Sequence, residues 1–89
     1  MRVERELKVE NRAGIHLRVA SQIVKLLNDF DCHATLAFNG RNADAKSIMG
    51  ITQLMAPSGS ILHFTAEGPH ARRAAAELER LFLNKFGEE

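Results

Sequence analysis

In the stretch GIHLRVASQIV, from Gly14 to Val24, a histidine stands between a glycine and the start of an amphipathic pattern, with an arginine two residues on. His16 comes just before the first apolar residues of that pattern, so it falls at or near the N-cap, where several backbone N–H groups have no partner inside the helix. Those donors and the positive end of the helix dipole attract a phosphate or a carboxylate, and the same field disfavours an imidazolium. A neutral ring nitrogen is a nucleophile. Arg18 adds a planar fork of donors suited to phosphate oxygens, and Gly14 is expected to remove side-chain bulk beside the ring. Together these suit a histidine that receives a phosphoryl group and holds it. The same residues also make an ordinary helix entry, with a turn histidine, a loop glycine and a solvated arginine, and spacing alone does not choose between the two readings.

The elements that would position these residues follow from periodicity. Val3, Arg5, Leu7 and Val9 alternate with Glu4, Glu6 and Lys8, as in a strand with one wet face. The segment Asn11 to Gly14 breaks the alternation. Val19, Ala20, Ile23, Val24, Leu27 and Phe30 then share one helical face, which predicts a helix starting close to His16 and ending near Asn28 and Asp29. Ala34, Leu36 and Phe38 predict a second strand, and Asn39-Gly40 a hairpin turn to a short strand over Arg41 to Ala45. Ser47 can cap a short helix carrying Ile48, Met49, Ile51, Leu54 and Met55, ended by Pro57, Ser58 and Gly59. Leu62, Phe64 and Ala66 mark a last strand. After Gly68-Pro69, the stripe Ala71, Ala74, Ala75, Leu78, Leu81, Phe82 and Phe86 predicts a long helix ended by Gly87. The order is βαββαβα, an α+β arrangement in which an antiparallel sheet is covered on one face by helices.

At 89 residues, 45% hydrophobic and 26% charged, the chain reads as one compact domain, residues 1–89, too short for two. A formal net charge of +1, from 12 basic and 11 acidic side chains, lacks the basic excess expected of a nucleic-acid or anionic-membrane binder. The single Cys32 cannot form an internal disulfide, which fits a reducing compartment, and no residues show metal-ligand spacing, so no metal or cofactor is expected. No apolar run approaches the roughly 18 residues of a membrane span, and the charged N-terminal stretch does not read as a signal peptide. A cytoplasmic location is expected.

Nearly the whole chain resembles the HPr family, the histidine phosphocarriers of the bacterial phosphoenolpyruvate-dependent phosphotransferase system. Two separated blocks carry the resemblance. GIHLRVA resembles the family's active-site pattern of Gly, Leu or Ile, His, Ala, Arg, Pro, Ala; AKSIMGI resembles its second-helix pattern with the regulatory serine. The later AEG before a long terminal helix also agrees. The resemblance implies an open-faced β-sandwich of four antiparallel strands and three helices. It implies that the protein is a phosphocarrier rather than an enzyme, with His16 as phosphoacceptor through Nδ1 and Arg18 steadying the phosphoryl group. By the same carry-over, Ser47 matches the serine phosphorylated by a regulatory kinase in part of the family, and Ile48 and Met49 match the apolar patch that docks on enzyme I and on enzyme II A-domains. A monomer is expected.

The sequence departs from the family pattern at Leu17, where a small residue is usual, and at Val19, where proline is usual. Proline suits a first helical turn because its φ is preset and its missing N–H would be unpaired anyway, so valine keeps the helix and adds a donor. Leu17 adds apolar surface beside the ring, which bears on partner identity. The non-proline variant of the motif at Val19, together with Cys32, resembles the nitrogen-related branch of the system, whose carrier signals without sugar transport. In a reading of another class, His16 is inert and the Ile48 to Met55 surface binds a regulator. His33, His63 and His70 read as solvated, Cys32 as packing, and Lys25, Arg72 and Arg73 as wet helix faces.

Overall fold

The computed structural model describes residues 1–88. Four strands, β1 (Arg2–Lys8), β2 (His33–Phe38), β3 (Arg41–Asp44) and β4 (Ile61–Glu67), alternate with three helices, α1 (Leu17–Leu27), α2 (Ile48–Thr52) and α3 (Ala71–Leu83). The strands form one antiparallel sheet in the order β1-β4-β2-β3. Period-two alternation puts Val3, Leu7, Ala34, Leu36, Ala43, Leu62, Phe64 and Ala66 on one face, where all are buried. The stripes of α1 and α3, with Val19, Ala20, Ile23, Leu27, Ala71, Ala74, Ala75, Leu78 and Phe82, close over that face. The other face is wet: Glu6 stands opposite His63, and His63 Nε2 lies 2.8 Å from Glu4 Oε1. This is the open-faced, four-stranded architecture expected from the sequence.

Two helix ends differ from that expectation. The second helix stops at Thr52, and Met55 takes a left-handed conformation (φ 54°), so Leu54 and Met55 follow the helix instead of belonging to it. Leu54 still turns inward while Met55 is exposed. The third helix stops at Leu83. Beyond it a 3-10 turn, Lys85–Gly87, carries left-handed backbone at Lys85 (φ 54°) and Phe86 (φ 56°). This reversal folds Phe86 back onto the core, edge-to-face with Phe82 at 4.8 Å. Phe86 therefore continues the apolar stripe in space without continuing the helix.

The segment joining β1 to α1 is fixed by the segment leading into β4. Val9 N–H donates to Ser60 O and Gly59 N–H donates to Val9 O, both at 2.8 Å, while Ile15 N–H donates to Ala56 O at 3.0 Å. Gly14 (φ +75°) lies where this crossing is tightest: a Cβ there would come within 3.0 Å of Ala56 O and Ser58 N and 3.1 Å of Pro57 Cα. Its absent side chain makes room for that segment, rather than for the imidazole as the sequence suggested. Gly14→Ala combines a left-handed alanine with backbone overlap and should cost about 2 to 4 kcal/mol. Thermal unfolding should show a midpoint lower by about 10 °C or more; a fall of a degree or two would mean that the crossing is not tight.

Candidate functional site

His16 is the N-cap of α1, with extended backbone (φ −114°, ψ −178°), and its side chain makes no capping hydrogen bond. Ser, Thr, Asp or Asn at this position would satisfy a first-turn donor, so a histidine here gives up stabilisation that those residues would supply. The N–H groups of Leu17, Arg18 and Val19 have no acceptor among the described residues, and no acidic residue occupies the first turn. The helix head thus keeps its donors and its positive dipole end free for an anion. Arg18 is exposed beside it, with no hydrogen bond or ion pair among the described residues.

The ring of His16 is turned away from the cap position. Its Nε2 lies 3.0 Å and 3.2 Å from the two carboxylate oxygens of Glu88. Glu88 Oε1 also accepts from Asn11 Nδ2 at 2.8 Å, and the same amide nitrogen donates to Gly14 O at 2.8 Å. Asn11 is fully buried. The hydrogen bond from His16 is the largest influence holding the Glu88 carboxyl below the usual Glu range, followed by that from Asn11; the charge of Arg18 adds a smaller pull and burial opposes them. A carboxylate only accepts, so Nε2 carries the hydrogen and donates. With Nε2 so engaged, Nδ1 is the ring nitrogen left without a partner among the described residues. The side chain of His16 remains 32% exposed, open enough for a reacting group to approach.

The other predicted residues sit at the heads of α1 and α2, two helices that pack against each other. Lys46, beside the α2 head, reaches Phe30 O past the end of α1 at 3.0 Å, and Ala56, past α2, meets Ile15 just before the α1 head. Leu17 is 67% exposed at the first position of α1, and Ile48 and Met49 are 37% and 69% exposed at the start of α2. Ser47 caps α2, its Oγ accepting from Gly50 N–H at 3.0 Å. Val19, where proline was the expected residue, is fully buried. Cys32 is half-buried and burial pushes its thiol pKa up, in keeping with a packing role. His70 is tied to the backbone, its Nδ1 accepting from Asp31 N–H at 3.1 Å. No three His, Cys, Asp or Glu side chains converge on one point among the described residues, and none of the described helices is long and apolar enough to cross a membrane.

Sequence reading missed Glu88 and Asn11. Asn11 had a signal, since an asparagine in a short strand-to-helix break commonly bonds nearby backbone. Glu88 had none, being a charged residue just past a glycine with no pattern around it.

An antiparallel open-faced sandwich with a half-exposed histidine at the head of its first helix is the architecture of a small class of phosphotransfer domains, and the comparisons place this chain within it. The family model described as "PTS HPr component phosphorylation site" matches residues 3–84. A phosphocarrier protein HPr of Treponema pallidum is 42% identical over 87 residues, covering 98% of this chain and 99% of the relative. A crystal structure of HPr from Thermoanaerobacter tengcongensis superposes with a TM-score of 0.92 at 32% identity, covering 98% of each chain. A structure described as an HPr dimer from the same organism gives 0.78 at 32% identity, covering 92% of this chain and 94% of the other. The chain belongs to the HPr family of phosphocarrier proteins of the phosphotransferase system.

The lowered Glu88 pKa has a pH consequence of definite sign. Its contribution to holding the segment after α3 is fully present above the ordinary Glu value of 4.5 and is lost as pH falls through the lower, folded value. Following the Glu88 carboxyl carbon by NMR should give a titration below that of an unstructured glutamate, and Asn11→Ala should move it upward. An unchanged midpoint in Asn11→Ala would remove the amide from the clasp.

Proposed function

We propose that His16 accepts a phosphoryl group on Nδ1 from phosphorylated enzyme I and passes it to enzyme II A-domains, the protein acting as a carrier that turns nothing over by itself. The observation that carries this reading is the free Nδ1 of a half-exposed imidazole at an uncapped helix head, in a chain whose family carries phosphate. The first-turn N–H groups and Arg18 receive the phosphoryl oxygens, Arg18 as a mobile fork that needs no fixed partner in the unloaded protein. Leu17, Ile48 and Met49 form the surface on which donor and acceptor proteins dock in turn, burying exposed apolar area. The whole chain works as one HPr-like domain, as a monomer in the cytoplasm, without a cofactor.

Ser47 is the regulatory position in this reading, the target of a serine kinase and phosphorylase. A phosphoryl group on its Oγ adds about 1.5 to 2 negative charges at a helix N-terminus, so α2 is stabilised while the adjoining Ile48 and Met49 surface becomes repulsive to acidic partner groups. The sugar branch is preferred to the nitrogen-related one because the similar proteins bear the name HPr itself, and transfer from the loaded protein to A-domains of each branch separates the two.

Incubation with phosphoenolpyruvate and enzyme I, read by intact mass, should label the wild type with one acid-labile phosphoryl group and leave His16→Ala unlabelled. The alanine variant should keep its stability within about 1 kcal/mol, as expected for an N-cap that makes no capping bond. Labelling of His16→Ala would place the site elsewhere; no labelling of wild type would favour a regulator-binding module. Arg18→Ala should slow loading about ten- to hundredfold, the loss expected for one charge-assisted contact. Ser47→Asp should raise the carrier concentration needed for half-maximal loading several-fold with an unchanged unfolding midpoint. A marked fall in midpoint would mean that this variant acts on the fold.

A further inference from the structure

Glu88 is more than a surface ion-pair partner. Its carboxylate reaches both Nε2 of His16 and the buried Asn11 amide, and the chain takes two consecutive non-glycine residues through the left-handed region, with Phe86 docked on Phe82, to deliver it there. Backbone of that kind persists where surrounding structure over-determines it. We propose that Glu88 is a positioning residue for phosphoryl transfer, holding the hydrogen on Nε2 of His16 in both the unloaded and the loaded protein so that the phosphoryl group is taken and released at Nδ1.

The inference rests on the reading of His16 as phosphoacceptor. In loading, the Nδ1 lone pair forms the new P–N bond as the N–P bond of the donor phosphohistidine breaks, the electron pair of that bond returning to the donor ring. No proton is transferred. Because Nε2 keeps its hydrogen, the His16 ring becomes a phosphoimidazolium, whose positive charge lies against the Glu88 carboxylate. In discharge the P–N electron pair returns to Nδ1, and a neutral ring leaves. A ring that had lost the Nε2 hydrogen would have to leave as an anion, a far poorer leaving group. Glu88 thereby extends the pH range over which the loaded ring stays ready to discharge. The other charged groups around it are Glu10, Arg12 and Lys85, which line the same cleft, and Arg18 at the helix head. Their charges are kept constant by altering Glu88 alone.

The test compares wild type with Glu88→Gln, which keeps size and loses charge, and Glu88→Ala, which loses both. In the unloaded protein, ¹⁵N shifts of His16 should report a single Nε2–H tautomer for wild type and a mixture for Glu88→Ala. In protein loaded by enzyme I, the rate of phosphoryl discharge to an A-domain, measured across pH 5 to 9, should fall off at lower pH in Glu88→Gln. A displacement of one pH unit would appear as about tenfold slower discharge on the alkaline limb, with the same unfolding midpoint. Identical tautomers and coincident pH profiles in all three proteins would overturn the role of Glu88. Loading at a residue other than His16 would overturn the underlying site instead, and the ¹⁵N measurement on unloaded protein still decides whether Glu88 sets the tautomer.

Discussion

The position of His16 depends on the crossing of two backbone segments, the one leaving β1 and the one entering β4. Because β1 and β4 are neighbours in the sheet, with Lys8 opposite Ile61, the hydrogen bonds of Val9 with Ser60 and Gly59 prolong their ladder past its formal end. Ile15 then borrows Ala56 O, and the next residue, His16, is the N-cap of α1. A loop would ordinarily leave such N–H and C=O groups to water and the helix head free to wander. Here Val9 and Ile15 spend theirs on a second segment and the Asn11 side chain holds Gly14 O, so the sheet register is passed on to His16. Gly14 is the single residue type that lets the two segments approach so closely.

On this frame the helix head leaves its donors free at a cost to its own stability. It has no side-chain cap and no acidic first turn, and its histidine bonds elsewhere. The apolar side chains at the heads of α1 and α2 likewise face water instead of the core. Both arrangements forgo stabilisation that ordinary choices, a serine at the cap or a glutamate at Met49, would provide. The wet face of the sheet, by contrast, satisfies itself with cross-strand pairs such as Glu4 with His63.

Most of the framework was legible because it is periodic. The strand alternations, the α1 and α3 stripes and the Asn39-Gly40 turn each depend on residues close in sequence, and, the ends of α2 and α3 apart, the observed elements follow them within a residue or two. The misjudged ends of α2 and α3 both occur where a non-glycine residue, Met55 or Lys85, enters the left-handed region. Local propensity argues against that conformation and only tertiary packing selects it. His16 and Arg18 could be singled out because they stand at a helix start, which has a local signature. Their carboxylate partner is set by a reversal after the last helix, and no window of sequence contains both halves.

That separation has a meaning for assembly. His16 and Glu88 lie 72 residues apart, so as the chain is synthesised the histidine, α1 and the first three strands exist well before the carboxylate that engages the ring. The ring environment is completed only when α3 has laid itself against β1 and Phe86 has found Phe82. A brief detachment of the turn after α3 would leave the sheet standing with an imidazole free to exchange its tautomers. The local opening equilibrium of that turn therefore sets the fraction of molecules in which Glu88 engages the His16 ring at any instant.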